Sequence, residues 1–119
     1  MYANGIVNSW ASSIKMRNPM TMAQFYSDDA ILLATYSNLL RGKDEILDYF
    51  ISFLDKEGLE CKITEIYTTQ IGNSVASSGL YNFSFYADGQ FKIVKARFTY
   101  VVKDNQIVMH HSSEQLNKI

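Results

Sequence analysis

The spacing of apolar residues changes near Glu60, and this change constrains the fold more than any other feature of the sequence. Before Glu60, apolar side chains recur at intervals of three and four residues, which predicts amphipathic helices. The first helix contains Trp10. The second begins at Asn18-Pro19, an N-cap followed by proline at the first helical position, and is predicted to cover Met20 to about Tyr26. A third helix is predicted between Gly42 and Gly58.

Beyond Glu60 the apolar residues alternate with period two, which is typical of β-strands. Turn sequences such as Asp88-Gly89 and Asp104-Asn105 separate them. The predicted strands are Cys61–Ile71, Ser74–Tyr86, Gln90–Lys103 and Gln106–Ser113, with an earlier short strand at Ala30–Tyr36. We therefore predict one α+β domain spanning residues 1–119, in which three N-terminal helices pack on a curved, mainly antiparallel sheet.

The charge balance and the cysteine content exclude several function classes. Eleven basic and twelve acidic residues give a net charge of −1, so we expect no nucleic-acid partner. Cys61 is the only cysteine, which excludes an internal disulfide and a thiolate metal cluster. The sequence shows no leader segment, no apolar run long enough to cross a membrane, and no phosphate-loop or metal-site motif. We therefore expect a cytoplasmic protein without a metal, a cofactor or a membrane partner.

The strand around Arg97 carries apolar side chains on both of its faces. Three helices can cover only one face of a sheet, and monomers seldom expose a large apolar patch on the other. We therefore predict a homodimer, or a higher oligomer, through the face that carries Val94, Phe98, Tyr100 and Val102. On this interpretation Arg97 lies on the opposite, inner face of the same strand.

Five short motifs connect this sequence to a known group of proteins. In chain order they are Phe25-Tyr26-Ser27-Asp28-Asp29-Ala30-Ile31-Leu32-Leu33, Asp48-Tyr49-Phe50, Gly79-Leu80-Tyr81-Asn82-Phe83, Ala96-Arg97-Phe98-Thr99 and His110-His111-Ser112-Ser113. Their order and spacing resemble the nuclear transport factor 2-like (SnoaL-like) superfamily, which includes polyketide cyclase-like proteins and ketosteroid isomerase. Within it, the sequence resembles bacterial stand-alone relatives of the calcium/calmodulin-dependent protein kinase II association domain.

The resemblance implies a cone-shaped α+β barrel, in which a strongly bent sheet wraps a long helix and leaves a cavity at the wide end. In the kinase domains this cavity holds arginines that bind small carboxylates, and Arg97 matches one of them. Tyr81 and Ser112 fall where two further family arginines would lie, so the cavity is expected to be less cationic here. The strand that carries the catalytic carboxylate in ketosteroid isomerase has none here beyond Asp29, so that mechanism is absent.

Arg97 on an inner face would need an anionic partner, because an unpaired buried charge is very costly. One interpretation is a ligand carboxylate held by two parallel hydrogen bonds. The other is an ion pair with an internal acid, either Glu65 or Glu114. The residues alone leave both open, and the resemblance favours the ligand.

The two histidines are adjacent, so on a regular strand they point to opposite faces and cannot bind one metal ion together. Parity with Ser112 places His110 towards the cavity and His111 on the other face. Both are candidate catalytic residues, and a cavity histidine is suited to move a proton near neutral pH. The alternative is a histidine that only organises the end of the strand through hydrogen bonds.

Three functions remain open at this stage. The first is a self-associating domain that binds a small, anionic or polar organic ligand through Arg97, with His110, Tyr81 and Ser112 as polar lining. The second is an acid–base enzyme of the isomerase, lyase or cyclase type that uses His110 and Arg97. The third is a module that serves oligomerisation alone.

Overall fold

The computed structural model describes residues 3–116 and contains three α-helices and one six-stranded sheet. The helices are α1 (Ala3–Ser13), followed by a single 3₁₀ turn (Ile14–Met16), α2 (Pro19–Ala23) and α3 (Gly42–Phe53). The strands are β1 (Tyr26–Leu33), β2 (Leu39–Arg41), β3 (Glu57–Ile71), β4 (Ser74–Ala87), β5 (Gln90–Lys103) and β6 (Gln106–Glu114). The predicted α+β class is therefore confirmed.

The start of α2 follows the sequence prediction. The Asn18 side-chain oxygen accepts hydrogen bonds from the backbone N–H groups of Met20 at 3.0 Å and Thr21 at 3.3 Å, so it caps the helix. The prediction that this helix extends to Tyr26 is wrong, because Tyr26 already begins β1 and pairs with Ile107 of β6. Pairing with a distant strand overrides the local helical pattern here.

The sheet order is β2-β1-β6-β5-β4-β3. Strands β3 to β6 form the predicted antiparallel meander, and β1 pairs in parallel with β6. Asp104 and Asn105 both adopt positive φ values, 52° and 61°, which suits the twisted two-residue turn between β5 and β6. The short β2, antiparallel to β1, was not predicted.

Irregularities in β3 bend the sheet. The pairing of β3 with β4 shifts register between Glu57 and Glu60 and again between Ile63 and Glu65. Such bulges increase the local twist and curve a sheet around whatever packs on it. Gly79 of β4 lies opposite the second bulge, where a Cβ atom would overlap the carbonyl oxygen of Glu65. A glycine is therefore required at this bend.

The face of the sheet that packs on the helices, called the inner face below, carries a cluster of buried aromatic rings. Trp10 of α1 stacks on Tyr81 with a centroid distance of 5.9 Å and contacts Tyr100 edge-on at 5.7 Å. Phe53 of α3 contacts Phe83 edge-on at 5.3 Å. This aromatic cluster, which includes Trp10, fills the interior between α1, α3 and the sheet.

The predicted orientation of β5 is wrong. Phe98, Tyr100 and Val102 are buried on the inner face, and Val94 on the same face is half-buried. Arg97 lies on the outer face and is exposed. Because β5 carries apolar residues on both faces, the alternation in the sequence does not show which face is buried. The pairing register of β5 with β6 does. Residues paired across strands share a face, and Tyr100 pairs with His110 while Arg97 pairs with Ser113.

None of the helices in the described part of the chain has the length and apolar character needed to span a membrane.

Candidate functional site

A cavity of about 560 Å³ opens between α3, the segment that joins β1 to β2, and the inner face of β3 to β5. It is called the main cavity below. Its volume is in the range of sites that bind small organic molecules. Most of its wall is apolar, and the aromatic and aliphatic side chains that form it are Leu40, Tyr49, Phe53, Leu59, Phe83, Phe85 and Val94.

Helix α3 supplies the polar residues on one side of the main cavity. Glu45, Asp48 and Ser52 recur at intervals of three and four, so they lie along one helix face. The Glu45 carboxylate also accepts a hydrogen bond from the backbone N–H of Arg41 at 2.9 Å, just before the helix begins. Tyr49, which lies on the same face, is mostly buried, and burial raises the pKa of its hydroxyl.

Lys56 follows α3 and, among the described residues, is the one basic side chain that lines the main cavity. Its ammonium lies over the Phe53 ring at 4.8 Å from the centroid and near the Phe85 ring at 5.9 Å. The ammonium also donates a hydrogen bond to the Phe53 carbonyl at 3.3 Å. Burial lowers the pKa of Lys56, and the charge of Asp55 opposes this shift.

Lys56 was not among the site residues predicted from the sequence. Its only signal is its position directly after the last turn of α3, where a long side chain can turn back over Phe53. Phe85 lies beside Lys56 because β3 and β4 bend, and no local sequence pattern reveals this bend.

Deeper in the fold, a second space of about 10 Å³ is lined by Trp10, Thr35, Tyr81, His110 and Ser112, among others. This volume is close to what one water molecule requires. We call it the inner chamber. Thr35 lines both this chamber and the main cavity, as do Tyr49, Phe53 and Phe83, so the two spaces adjoin.

Three of the four residues predicted to line a cavity meet in the inner chamber. Tyr81, His110 and Ser112 are all buried on the inner face, at most 7% exposed. Because the pairing of β5 with β6 brings Phe98 opposite Ser112 and Tyr100 opposite His110, alternate residues of β6 turn inwards together. Whether these side chains contact a ligand stays a prediction.

His110 is held by hydrogen bonds at both ring nitrogens. The Tyr26 hydroxyl lies 2.8 Å from Nδ1, and the Tyr81 hydroxyl lies 3.2 Å from Nε2. The Trp10 ring N–H donates to the Tyr26 hydroxyl at 3.0 Å. The Tyr100 ring stacks on the imidazole with a centroid distance of 3.9 Å. The ring is therefore fixed in position and orientation.

Burial lowers the pKa of His110 to about 3, and the nearby His111 contributes to the shift in the same direction. His110 is therefore neutral at physiological pH. A general base needs a pKa near the working pH and a nitrogen free to reach the substrate. Both ring nitrogens are engaged by tyrosine hydroxyls, so the geometry suits a structural or positioning histidine better than a proton acceptor.

One polar atom in this cluster lacks a partner. The Tyr100 hydroxyl is fully buried and makes no hydrogen bond of good geometry with any residue that the structure describes. Burial raises the pKa of Tyr100, and the neighbouring Tyr81 hydroxyl contributes to the shift. An unpaired buried hydroxyl costs roughly 1–3 kcal/mol.

Arg97 and His111 lie away from both cavities. The Arg97 guanidinium donates to the Ser113 hydroxyl at 3.3 Å on the outer face, and neither Glu65 nor Glu114 forms an ion pair among the described residues. His111 pairs with Thr99 and also belongs to the outer face. The prediction of Arg97 as an anchor inside a cavity is therefore wrong. An exposed guanidinium does not need a buried anion.

Comparison with known proteins supports the architecture over nearly the whole chain. A protein from Xanthomonas campestris described as a calcium/calmodulin dependent protein kinase II association domain shares 28% identity and gives a TM-score of 0.86, covering 97% of this chain and 86% of that one. A nuclear transport factor 2-like superfamily protein from Salmonella enterica shares 17% identity and gives a TM-score of 0.81, covering 97% and 89%. No curated protein matches this chain.

A third solved structure contains a small molecule. It is a protein of ketosteroid isomerase-like fold from Catenulispora acidiphila in complex with trimethylamine, with 16% identity, a TM-score of 0.71 and coverage of 90% of this chain and 82% of that one. The helices, the bent sheet and the cavity thus define the nuclear transport factor 2-like fold. The SnoaL-like domain family matches residues 3–116, and this chain belongs to that family.

Proposed function

We propose that this protein binds a small organic molecule that has a flat apolar body and an anionic group, with Lys56 as the anchor of the anion. The observation that carries the proposal is a 560 Å³ cavity walled by aromatic rings, with one half-buried ammonium directed over two of them. Aromatic walls with a few placed polar groups are typical of small-molecule sites.

The charges around the main cavity favour an anion over a cation. Lys56 is partly desolvated, so water solvates its ammonium only in part. A ligand carboxylate would supply the missing interaction as a charge-assisted hydrogen bond. Asp48 and Glu45 are exposed, and Glu45 is already engaged by the Arg41 backbone. The relative with bound trimethylamine indicates that a cation is the appropriate competing probe. Here, however, Lys56 itself occupies the face of the Phe53 ring.

The first test compares Lys56→Met with wild type, because methionine keeps much of the side-chain length without the charge. We expect 2-naphthoate to bind wild type and to lose about tenfold or more in affinity for Lys56→Met, as one charge-assisted hydrogen bond is removed. Isothermal titration calorimetry at low salt measures this.

Arg97→Met is the matched control, because it removes a charge of the same sign from the outer face. Its affinity for 2-naphthoate should equal that of wild type within about twofold. Tighter binding of 2-naphthylmethylammonium than of 2-naphthoate, or an equal loss in both variants, would contradict the proposal.

The two alternative functions have less support. An acid–base enzyme built on His110 would need that ring to accept a proton, whereas its pKa is about 3 and both nitrogens are engaged. Arg97 lies on the opposite face of the sheet from His110, so it cannot assist proton transfer there. A module for assembly alone would have no use for an open cavity of this size.

The second part of the proposal is self-association through the outer face of the sheet. Phe91 and Ile93 are more than half exposed there, at 58% and 53%, and Tyr86 pairs with Phe91 at a ring distance of 5.3 Å. A contiguous apolar patch of this kind favours burial against a second copy of the chain. The resemblance to an association-domain protein agrees with this expectation.

Ile93→Glu tests the outer face. Wild type is expected to sediment as a dimer or larger at micromolar concentration, and Ile93→Glu should weaken association at least about tenfold, because it buries an unpaired charge in the interface. Sedimentation velocity measures this, and 2-naphthoate affinity is the control for an intact fold. A monomeric wild type would contradict this part alone.

A further inference from the structure

The inner chamber differs from the main cavity in charge. The polar groups that line it are hydroxyls and an imidazole that burial keeps neutral, whereas Lys56 lines only the main cavity. A ligand charge placed in the chamber would lose its hydration without gaining a counter-ion. The chamber therefore suits an uncharged polar atom.

The buried polar groups around the chamber already bond to one another. The Trp10 ring N–H donates to the Tyr26 hydroxyl, which lies 2.8 Å from His110 Nδ1, and the Tyr81 hydroxyl lies 3.2 Å from Nε2. These groups are therefore engaged within the protein.

A separate pair of hydroxyls lies at the boundary between the two spaces. The buried Ser112 hydroxyl lies 2.6 Å from the Thr35 hydroxyl, which is its one hydrogen-bond partner in the described part of the chain. If Ser112 donates to Thr35, so that its buried proton is used, the Thr35 proton is left without a partner inside the protein. Thr35 borders both the inner chamber and the main cavity, so a ligand can reach this donor.

We propose that Thr35 donates a hydrogen bond to an uncharged acceptor, a hydroxyl or carbonyl oxygen, at the inner end of the ligand. The proposal rests on the main cavity being the ligand site. It assigns the ligand two polar ends, a neutral acceptor at Thr35 and an anionic group at Lys56.

Three matched probes test the donor: 2-naphthol, 2-naphthoate and naphthalene. Thr35→Val is close to isosteric and removes only the hydroxyl. We expect it to weaken 2-naphthol about tenfold and to leave 2-naphthoate and naphthalene within about twofold of wild type. Thr35→Ser should restore most of the 2-naphthol affinity. Thr99→Val, which removes a hydroxyl bonded to Ser78 on the outer face, should change none of the three.

Equal affinities of 2-naphthol for wild type and Thr35→Val, with 2-naphthoate still bound, would overturn this inference and leave the Lys56 site standing. Failure of all three probes to bind wild type at millimolar concentration would overturn both.

Discussion

Gly79→Ala is expected to lower the free energy of unfolding by at least about 3 kcal/mol, or to prevent folding. The added Cβ would overlap the Glu65 carbonyl oxygen and would lie 2.8 Å from the Glu65 carbonyl carbon and 3.0 Å from the Ile66 Cα. All three atoms belong to backbone within the β3–β4 ladder, so no side chain can move aside. Urea denaturation followed by circular dichroism measures the loss.

Gly89→Ala is the matched control for this substitution. Gly89 adopts a φ of 75° in the turn between β4 and β5, and nothing lies within 4 Å of a Cβ built there. Only the backbone conformation is strained, so we expect a cost of about 1 kcal/mol. Similar losses for the two variants would contradict the view that close strand contact at the bulge shapes the sheet and its cavity.

Acidification is expected to destabilise the protein through His110. The folded-state pKa of about 3 lies below the unfolded value of about 6.5. Between these values the unfolded chain therefore binds more protons than the folded one. The stability from the neutral ring is fully present above pH 6.5 and is lost as the pH falls towards 3, by about 1.4 kcal/mol per pH unit.

His110→Gln separates this contribution from that of the other titrating groups. Glutamine is neutral at every pH and can still hydrogen-bond a tyrosine hydroxyl. We expect the variant to be less stable than wild type at pH 7 by roughly 1–3 kcal/mol, because the network is disrupted. Because wild type loses about 1.4 kcal/mol per pH unit and the variant does not, the difference should shrink to zero and then reverse as the pH falls from 6.5 to 4. Urea denaturation at several pH values measures it, and a difference that is constant with pH would contradict a ring kept neutral by burial.

Most of the architecture follows from the sequence because its signals are local. The change of period near Glu60, the cap at Asn18 and the turn at Asp104-Asn105 each depend on a few neighbouring residues. The parallel pairing of β1 with β6 and the short β2 are absent from the prediction, since both depend on long-range pairing.

The candidate site is less predictable because it depends on which face of each strand turns inwards. Parity was assigned correctly for Tyr81, His110 and Ser112 and incorrectly for Arg97. The inner face was predicted for the arginine because the face that carries Phe98 and Tyr100 was assigned to the dimer, yet the outer face accepts Arg97 readily beside Ser113. The cross-strand register shows which residues share a face. Tyr81 pairs with Ala96, so it cannot share a face with Arg97.

The most direct test of the central claim is the position of a bound anion. In the complex with 2-naphthoate, intermolecular nuclear Overhauser effects should connect the naphthalene protons to Phe53, Phe85 and Val94, which wall the main cavity around Lys56. Contacts instead with Ile93 and Thr99, which flank Arg97 on the outer face, would contradict the assignment of the ligand to the cavity.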